Sequence, residues 1–257
     1  MWWCPTAASC SLPLHAMGPI PSEDRDTVFF MYLYITSFTS TLSALIESES
    51  GSQPKALDKP SLHLVAQPET LPGASGEIKV VKAAGAPVIT RKSKKETPTT
   101  VLASLRDHRL VHFVCHGLLE AGRPFDASFA LHGGNLTLFD IVRYQLPAGE
   151  FAFLSACHTA ELTEDRIADE GLHLAATMQF CGFWSVVGTL WAMADTDGAF
   201  LYKQFYKSHF PETPSQKLAP YHQRSAGALQ AAVQMLRSRR GVTLERWVKI
   251  TACNWML

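Results

Sequence analysis

Two short stretches, VHFVCHGLLE (residues 111–120) and FAFLSACHTA (residues 151–160), share one pattern. Each begins as an uninterrupted apolar run, which is typical of a strand buried on both faces. The first run stops at His116, with Gly117 directly after it, and the second stops just before Cys157. A helical pattern separates the two runs, so we expect them to be parallel strands of one sheet.

The rest of the chain repeats this alternation of short apolar runs and helical patterns. Predicted strands lie at 61–66, 86–90, 110–116, 128–135, 151–156 and 183–191. Predicted helices lie near 78–82, 97–108, 138–146, 166–181, 195–209 and 225–239. Thr97, ahead of Pro98, and Thr137 are good N-caps, and Gly182 is a good helix end. These elements predict an α/β protein of one domain, with a mainly parallel sheet covered on both faces.

The composition is that of a globular protein without a charge bias. Of the 257 residues, 47% are hydrophobic and 18% are charged, which is enough for a sizeable core. Lys and Arg number 23, as do Asp and Glu, so the formal net charge is zero. Nucleic acids and anionic membranes are therefore not expected as partners. The one basic run, RKSKK (91–95), is interpreted as a solvated loop.

Cysteine content and the start of the chain predict a cytoplasmic protein. Six cysteines are too sparse for a disulfide scaffold in a chain of this length. The opening MWWCPTAASC has no basic region followed by an apolar core, so it is not interpreted as a signal peptide.

The segment VFFMYLYITSFTSTLSALI (28–46) is uncharged and about as long as a membrane span. Its second half is rich in Ser and Thr. We interpret it as a buried strand that leads into a capped helix, and no membrane insertion is expected.

His116 and Cys157 are the candidate catalytic residues, because active sites in open parallel sheets lie at the carboxyl ends of the strands. A cysteine attacks a carbonyl carbon as the thiolate, and a nearby histidine can take the thiol proton and later protonate the leaving amine. The amide N–H groups of Gly117 and Cys157 are candidates for an oxyanion hole. The alternative is that His116 is a structural hydrogen-bonding group and Cys157 a core residue.

A metal site is the other candidate function for these residues, because Cys115–His116 and Cys157–His158 form two Cys-His pairs. Adjacent residues on a strand point to opposite faces, so neither pair chelates one ion readily. The chain contains no CxxC or HExxH motif. We expect no metal and no cofactor.

Several motifs together resemble the CHAT domain, a caspase-like domain commonly found behind tetratricopeptide repeats. The resemblance runs from about residue 2 to about residue 248. The motifs are WWCPT with LPLHAMG, VHFVCHG, LTLFDI, FAFLSACHTA and DEGLHLAATMQFCGFWSVVGTLWAMAD. The resemblance implies a three-layer α/β/α fold with a mainly parallel central sheet. It also implies the clan of cysteine peptidases that contains caspases, separases and gingipains.

By motif position, the resemblance makes His116 the general base and Cys157 the nucleophile. The expected function is that of a cysteine endopeptidase acting on a protein or peptide substrate. A second function stays open, that of a catalytically inactive caspase-like module that acts in signalling by protein–protein interaction.

The chain departs from the family pattern in two places. No tetratricopeptide repeats precede the domain, so we expect a detached effector module or a shortened gene product, with a tetratricopeptide-repeat protein as a candidate regulatory partner. Family members continue as an apolar strand after the tryptophan, whereas Trp247 is followed here by VKITACNWML. The last ten residues of the single domain (1–257) are therefore predicted to be atypical.

Specificity has two candidate residues, Asp195 and Asp197. In the related clan, the segment after the strand SVVGTLW borders the pocket for the residue before the cut. An aspartate there would favour a basic residue. Helix capping explains both aspartates equally well.

Overall fold

The computed structural model describes most of the chain, apart from a few segments. Side chains are not described for residues 167–173, 195 and 250–254. The described residues are 1–6, 9, 12–18, 29–39, 41–42, 46, 61–71, 73–91, 93–118, 125–146, 149–155, 167–189, 193–211, 219–248 and 250–254.

Strands and helices alternate through the described ranges. The strands are β1 (Trp2–Trp3), β2 (Ser37–Phe38), β3 (Leu62–Ala66), β4 (Val88–Thr90), β5 (Leu110–Val114), β6 (His116–Leu118), β7 (Ser128–Leu131), β8 (Gly134–Thr137), β9 (Gly149–Leu154), β10 (Phe183–Thr189) and β11 (Ile250–Asn254). The helices are α1 (Phe30–Leu33), α2 (Ala74–Ala83), α3 (Pro98–Asp107), α4 (Leu138–Arg143), α5 (Ile167–Phe180), α6 (Asp195–His209), α7 (Tyr221–Arg237) and α8 (Leu244–Trp247).

The larger sheet contains eight strands in the order β1-β2-β11-β10-β9-β5-β3-β4. Its central part, from β10 to β4, is parallel throughout. The predicted mainly parallel sheet is confirmed. At its centre, Phe113 of β5 is paired with Leu154 of β9, so the two strands that lead to the candidate catalytic residues are direct neighbours.

Successive residues of β9 enter different hydrophobic clusters, because side chains alternate between the two faces of a sheet. Phe151 and Phe153 belong to a cluster with buried residues of α6 and α7. Ala152 and Leu154 belong to a second cluster with residues of α3, α4 and α5. The sheet therefore lies between two helical layers, which confirms the three-layer α/β/α prediction.

Capping residues set the starts of two helices as predicted. Thr97 accepts a hydrogen bond from the Thr100 amide and begins α3, and Thr137 accepts one from the Asp140 amide and begins α4. In both cases the third helical residue bonds back to the N-cap amide, which completes a capping box. Gly182 follows α5 with φ of +100°, a conformation that glycine adopts without steric cost.

The single strand predicted at 110–116 is wrong in its second part. Strand β5 ends at Val114, Cys115 lies in a bend, and His116 begins β6. Strand β6 belongs to a separate antiparallel sheet, β6-β7-β8, rather than to the parallel sheet. The ring of Phe129 in β7 stacks on Phe113 with centroids 4.1 Å apart, so apolar packing holds the small sheet against the large one.

The strand-then-helix prediction for residues 28–46 is wrong at its start, although the described residues Leu42 and Ile46, which follow strand β2, are helical as predicted. Helix α1 comes first and strand β2 follows. The reason is long-range pairing, because Trp2 is paired in parallel with Ser37 and the Met1 ammonium donates a hydrogen bond to the Ile35 carbonyl at 2.7 Å. Within the described ranges, no helix combines the length and hydropathy that a membrane span requires.

The atypical end of the chain still forms a strand. Strand β11 pairs antiparallel with β10, with Ala252 opposite Val187. It thereby joins the short strands β1 and β2 to the parallel part of the sheet.

Candidate functional site

The candidate site lies where neighbouring parallel strands end. Phe113 and Leu154 are paired across β5 and β9, and His116 and Cys157 each lie three residues beyond one of them. Neighbouring strands are about 4.8 Å apart, so both chain segments leave the sheet close together. Ser155 is the last described residue on the β9 side, and Cys157 lies outside the described residues. The predicted meeting of His116 and Cys157 stays a prediction.

The imidazole of His116 has one partner in the described part of the chain. Its Nε2 lies 2.9 Å from the carbonyl oxygen of Thr70. A carbonyl only accepts, so Nε2 carries the proton and donates it. In the neutral ring, Nδ1 then holds a lone pair. This nitrogen is buried, and no hydrogen bond reaches it from the described residues.

Gly117 lies in β6 opposite Phe129 and is buried. Its predicted place beside a substrate carbonyl stays a prediction, as does the part assigned to the Cys157 amide, which lies outside the described residues.

A chain of polar groups holds the end of β9. The Ser155 hydroxyl donates to Glu77 Oε1 at 2.6 Å and lies 2.7 Å from the Tyr202 hydroxyl. Since a serine carries one hydroxyl proton, Tyr202 is the donor in the second contact. His112 Nε2 lies 2.8 Å from the same Glu77 oxygen, and His112 Nδ1 lies 2.9 Å from the Tyr206 hydroxyl.

Burial keeps Tyr206 protonated in this chain of contacts. Desolvation raises the pKa of the Tyr206 phenol well above its usual value, and the charges of Glu77 and the neighbouring Tyr202 add to the rise. A protonated phenol can donate to His112 Nδ1. In a neutral ring the His112 proton is then on Nε2, which lies 2.8 Å from Glu77 Oε1 but makes no hydrogen bond within the described ranges.

The described buried thiols are poor candidates for a nucleophile. Burial raises the pKa of Cys115 well above its usual value, with a further contribution from Glu77, and burial alone raises the pKa of Cys181 to about 12. Both residues are therefore thiols at neutral pH, and only thiolates attack or bind metal well. No group of three or more His, Cys, Asp or Glu side chains within the described ranges is placed to hold a metal ion.

A cavity of about 350 Å³ opens beside the end of β9. It lies between the first turns of α2 and α6. Residues that line it include Leu71, Gly76, Glu77, Ser155, Met193 and Tyr202. No sequence pattern indicates this cavity, because its walls come from segments that are far apart in the chain.

The two aspartates predicted for specificity occupy the first turn of α6. The Asp197 carboxylate is 1% exposed and receives two hydrogen bonds from Arg246, at 2.7 Å from Nε and 2.6 Å from Nη2. A substrate cation would have to displace this ion pair. Asp195 is the first helical residue, and its side chain lies outside what is described. Their part in specificity stays a prediction.

Sequence analysis missed two contributors to the site. Thr70 acts through its backbone carbonyl, which every residue type supplies, so no sequence signal exists for it. Glu77 follows the loop PETLPGASG and precedes an apolar helical pattern, and an acid in the first turn of a helix is usually explained by the helix dipole.

A sheet of this order, with two helical layers and candidate residues at the carboxyl ends of its central strands, is that of a caspase-like α/β/α protein. Comparison with family models gives the more particular assignment. The model of the CHAT domain matches residues 1–251, so the chain belongs to the CHAT domain family. Comparison with curated proteins gives no match.

Proposed function

We propose that this chain is a cysteine endopeptidase in which His116 is the general base and Cys157 the nucleophile. The observation that carries the proposal is the state of His116. Its ring is held at the carboxyl edge of the sheet by the Thr70 carbonyl, and its buried Nδ1 lacks a hydrogen-bond partner among the described residues. A buried nitrogen of this kind normally has a partner. Cys157, in the segment that follows β9, carries a thiol that can supply this partner.

The chemistry follows from the chain's own groups. His116 Nδ1 takes the proton of the Cys157 thiol, and the sulfur attacks the carbonyl carbon of a peptide bond. The bond to the nitrogen then breaks, His116 returns the proton to the leaving amine, and a thioester remains on Cys157. Water hydrolyses the thioester and restores the thiol. An unperturbed thiol has a pKa of about 8.5, so pairing with the base raises the reactive fraction.

Thr70 is a positioning residue in this scheme. Its carbonyl fixes the proton of His116 on Nε2 and so leaves Nδ1 as the nitrogen that can accept a proton. The amide N–H groups of Gly117 and Cys157 would bind the developing oxyanion, as the sequence predicts.

The test is active-site labelling with a panel of electrophilic peptides, followed by cleavage of a peptide library. We expect labelling and cleavage in the wild-type chain, and a loss of at least a hundredfold in Cys157→Ala and in His116→Ala. Cys4→Ala is the matched control, since Cys4 is a half-buried cysteine that forms no disulfide and lies outside the proposed site.

If cleavage survives in Cys157→Ala, the peptidase proposal is wrong. If Cys157 reacts with iodoacetamide no faster than an ordinary exposed thiol and no peptide is cleaved, the non-catalytic signalling module is the better assignment.

A further inference from the structure

We propose that the cavity beside the end of β9 is a subsite for an arginine or lysine side chain of the substrate, with Glu77 as the group that binds the cation. This inference rests on the proposed function, because it places the bound residue next to the bond that Cys157 would attack. It assigns specificity to α2, and not to the aspartates of α6.

The cavity adjoins the loop that holds His116 and the described end of β9. Leu71 lines it, and the preceding residue, Thr70, holds His116 through its carbonyl. Ser155 also lines it and lies two residues before Cys157. A side chain that fills the cavity therefore belongs to a residue whose backbone lies at the carboxyl edge of the sheet.

The walls suit a long aliphatic stem. Leu71, Met193 and Ala199 contribute apolar surface, and the volume of about 350 Å³ is within the range of small-molecule pockets. Tyr202 also lines this space.

Glu77 is the acid in this wall. Its side chain is 11% exposed, so the carboxylate reaches the cavity from a mostly buried position. Both polar contacts of Glu77, from Ser155 and His112, are made to Oε1. No hydrogen bond within the described ranges reaches Oε2. The second oxygen is therefore available to an arginine or lysine head group.

The negative charge of Glu77 is not cancelled by His112 when that ring is neutral. Tyr206 keeps its proton and can donate it to His112 Nδ1, while His112 Nε2 lies 2.8 Å from Glu77 Oε1 without making a hydrogen bond within the described ranges. The hydrogen bond from the neutral Ser155 hydroxyl stabilises the carboxylate without neutralising it, and a partly buried charge attracts a ligand of opposite sign.

Two helix N-termini also face the cavity, and their dipoles favour anions. Each first turn carries its own acids, however: Glu77 in α2, and Asp195 and Asp197 in α6. Arg246 offsets the charge of Asp197. An anionic ligand would still have to lie beside Glu77, so the balance favours a cation.

The experiment measures binding and needs no turnover. The Cys157→Ala chain is titrated with N-acetyl-arginine amide and with N-acetyl-citrulline amide, whose side chain has nearly the same shape but no charge. N-acetyl-aspartate amide serves as the acidic probe, and ligand-observed NMR reports the affinities. We expect the arginine probe to bind at least tenfold more tightly than the citrulline probe, and the acidic probe to bind most weakly.

Three further substitutions, each added to Cys157→Ala, locate the site. Glu77→Gln is expected to remove the difference between the arginine and citrulline probes. Glu245→Gln makes the same chemical change at an exposed position outside the cavity and should leave the difference intact. Gly76 lines the cavity and a Cβ atom there would meet nothing within 4 Å, so the ring of Gly76→Phe is expected to narrow the cavity and weaken both probes.

Absence of binding by the arginine probe, equal affinity for arginine and citrulline, or tighter binding of the acidic probe would overturn the subsite. These results are distinct from failure of the peptidase proposal, which is decided by cleavage in Cys157→Ala. A chain that cleaves peptides without regard to the arginine charge retains the function and loses the subsite.

Discussion

A glutamate with several polar contacts lies at each end of strand β9. Of these two clusters, the one at the carboxyl end also borders a cavity. At the amino end, Glu150 lies near Arg109 and His222, both at 3.5 Å, and accepts a hydrogen bond from the amide of Tyr221 at the start of α7. Its side chain is 1% exposed. At the carboxyl end, Glu77 contacts Ser155 and His112 and also borders a cavity.

The comparison indicates that the contacts that stabilise the fold and the groups that border a cavity lie at opposite ends of β9. Glu150 joins β9 to α7 and to the residue before β5, and its contacts are internal. Glu77 connects α2 to the end of β9 through its hydrogen bond with Ser155, and its side chain also lines the cavity. Parallel sheets place ligands at the carboxyl ends of their strands, and the two clusters follow this rule. We therefore expect substitutions at the amino end to change stability, and those at the carboxyl end to change binding as well.

The largest effect is expected for Glu150→Gln. The change removes the charge opposite Arg109 and His222 while it keeps the side-chain shape, and it should lower the free energy of unfolding by about 2 kcal/mol. Urea denaturation measures this loss, with Glu245→Gln as the exposed control. Cleavage per folded molecule should stay at the wild-type value. A Glu150→Gln variant with wild-type stability but reduced cleavage would contradict the assignment of the amino-end cluster to stability.

A second effect is a pH dependence near the amino end. Burial, with a contribution from Arg224, lowers the pKa of His209 well below its usual value. The unfolded chain therefore binds a proton that the folded chain excludes, and stability falls as the pH drops below about 6.5. The slope expected from this group is about 1.4 kcal/mol per pH unit.

His209→Phe tests that slope. The ring of His209 stacks on Phe205, and neither of its buried nitrogens has a hydrogen bond within the described ranges, so phenylalanine should replace it without loss of stability. Unfolding free energies measured from pH 7 to pH 5 should fall less steeply in the variant. An unchanged slope would show that His209 titrates alike in the folded and unfolded states.

The smallest effect on stability is expected for Tyr206→Phe at the carboxyl end. Loss of the hydroxyl leaves His112 Nδ1 without its donor and should cost about 1 kcal/mol in urea denaturation. Because the Tyr206 hydroxyl contacts the ring of His112 beside Glu77, loss of that contact should narrow the preference for the arginine probe over the citrulline probe. If the preference stays at the wild-type value, Tyr206 serves packing alone.

Sequence patterns predicted the parallel sheet and its two helical layers because these depend on local signals. Apolar runs such as FAFLSA predicted the central strands, and Thr97 and Thr137 marked two helix starts correctly. The patterns did not reveal that the chain bends at Cys115 and enters a second sheet. That bend depends on the packing of Phe113 against Phe129, a contact between different sheets.

The candidate site was only partly predictable for the same reason. His116 and Cys157 follow apolar strands and are visible in the sequence. The cavity, the contact of Ser155 with Glu77 and the pairing of Asp197 with Arg246 join residues that are far apart in the chain. No periodicity or motif records such contacts.

The hydrogen bond from His116 to the Thr70 carbonyl has a practical consequence for mutagenesis. Every amino acid at position 70 presents the same main-chain oxygen, so replacing that side chain does not delete the acceptor. An alanine scan would pass over the group that orients the imidazole. Only an ester in place of the next amide, or a shift of the loop between β3 and α2, would weaken it.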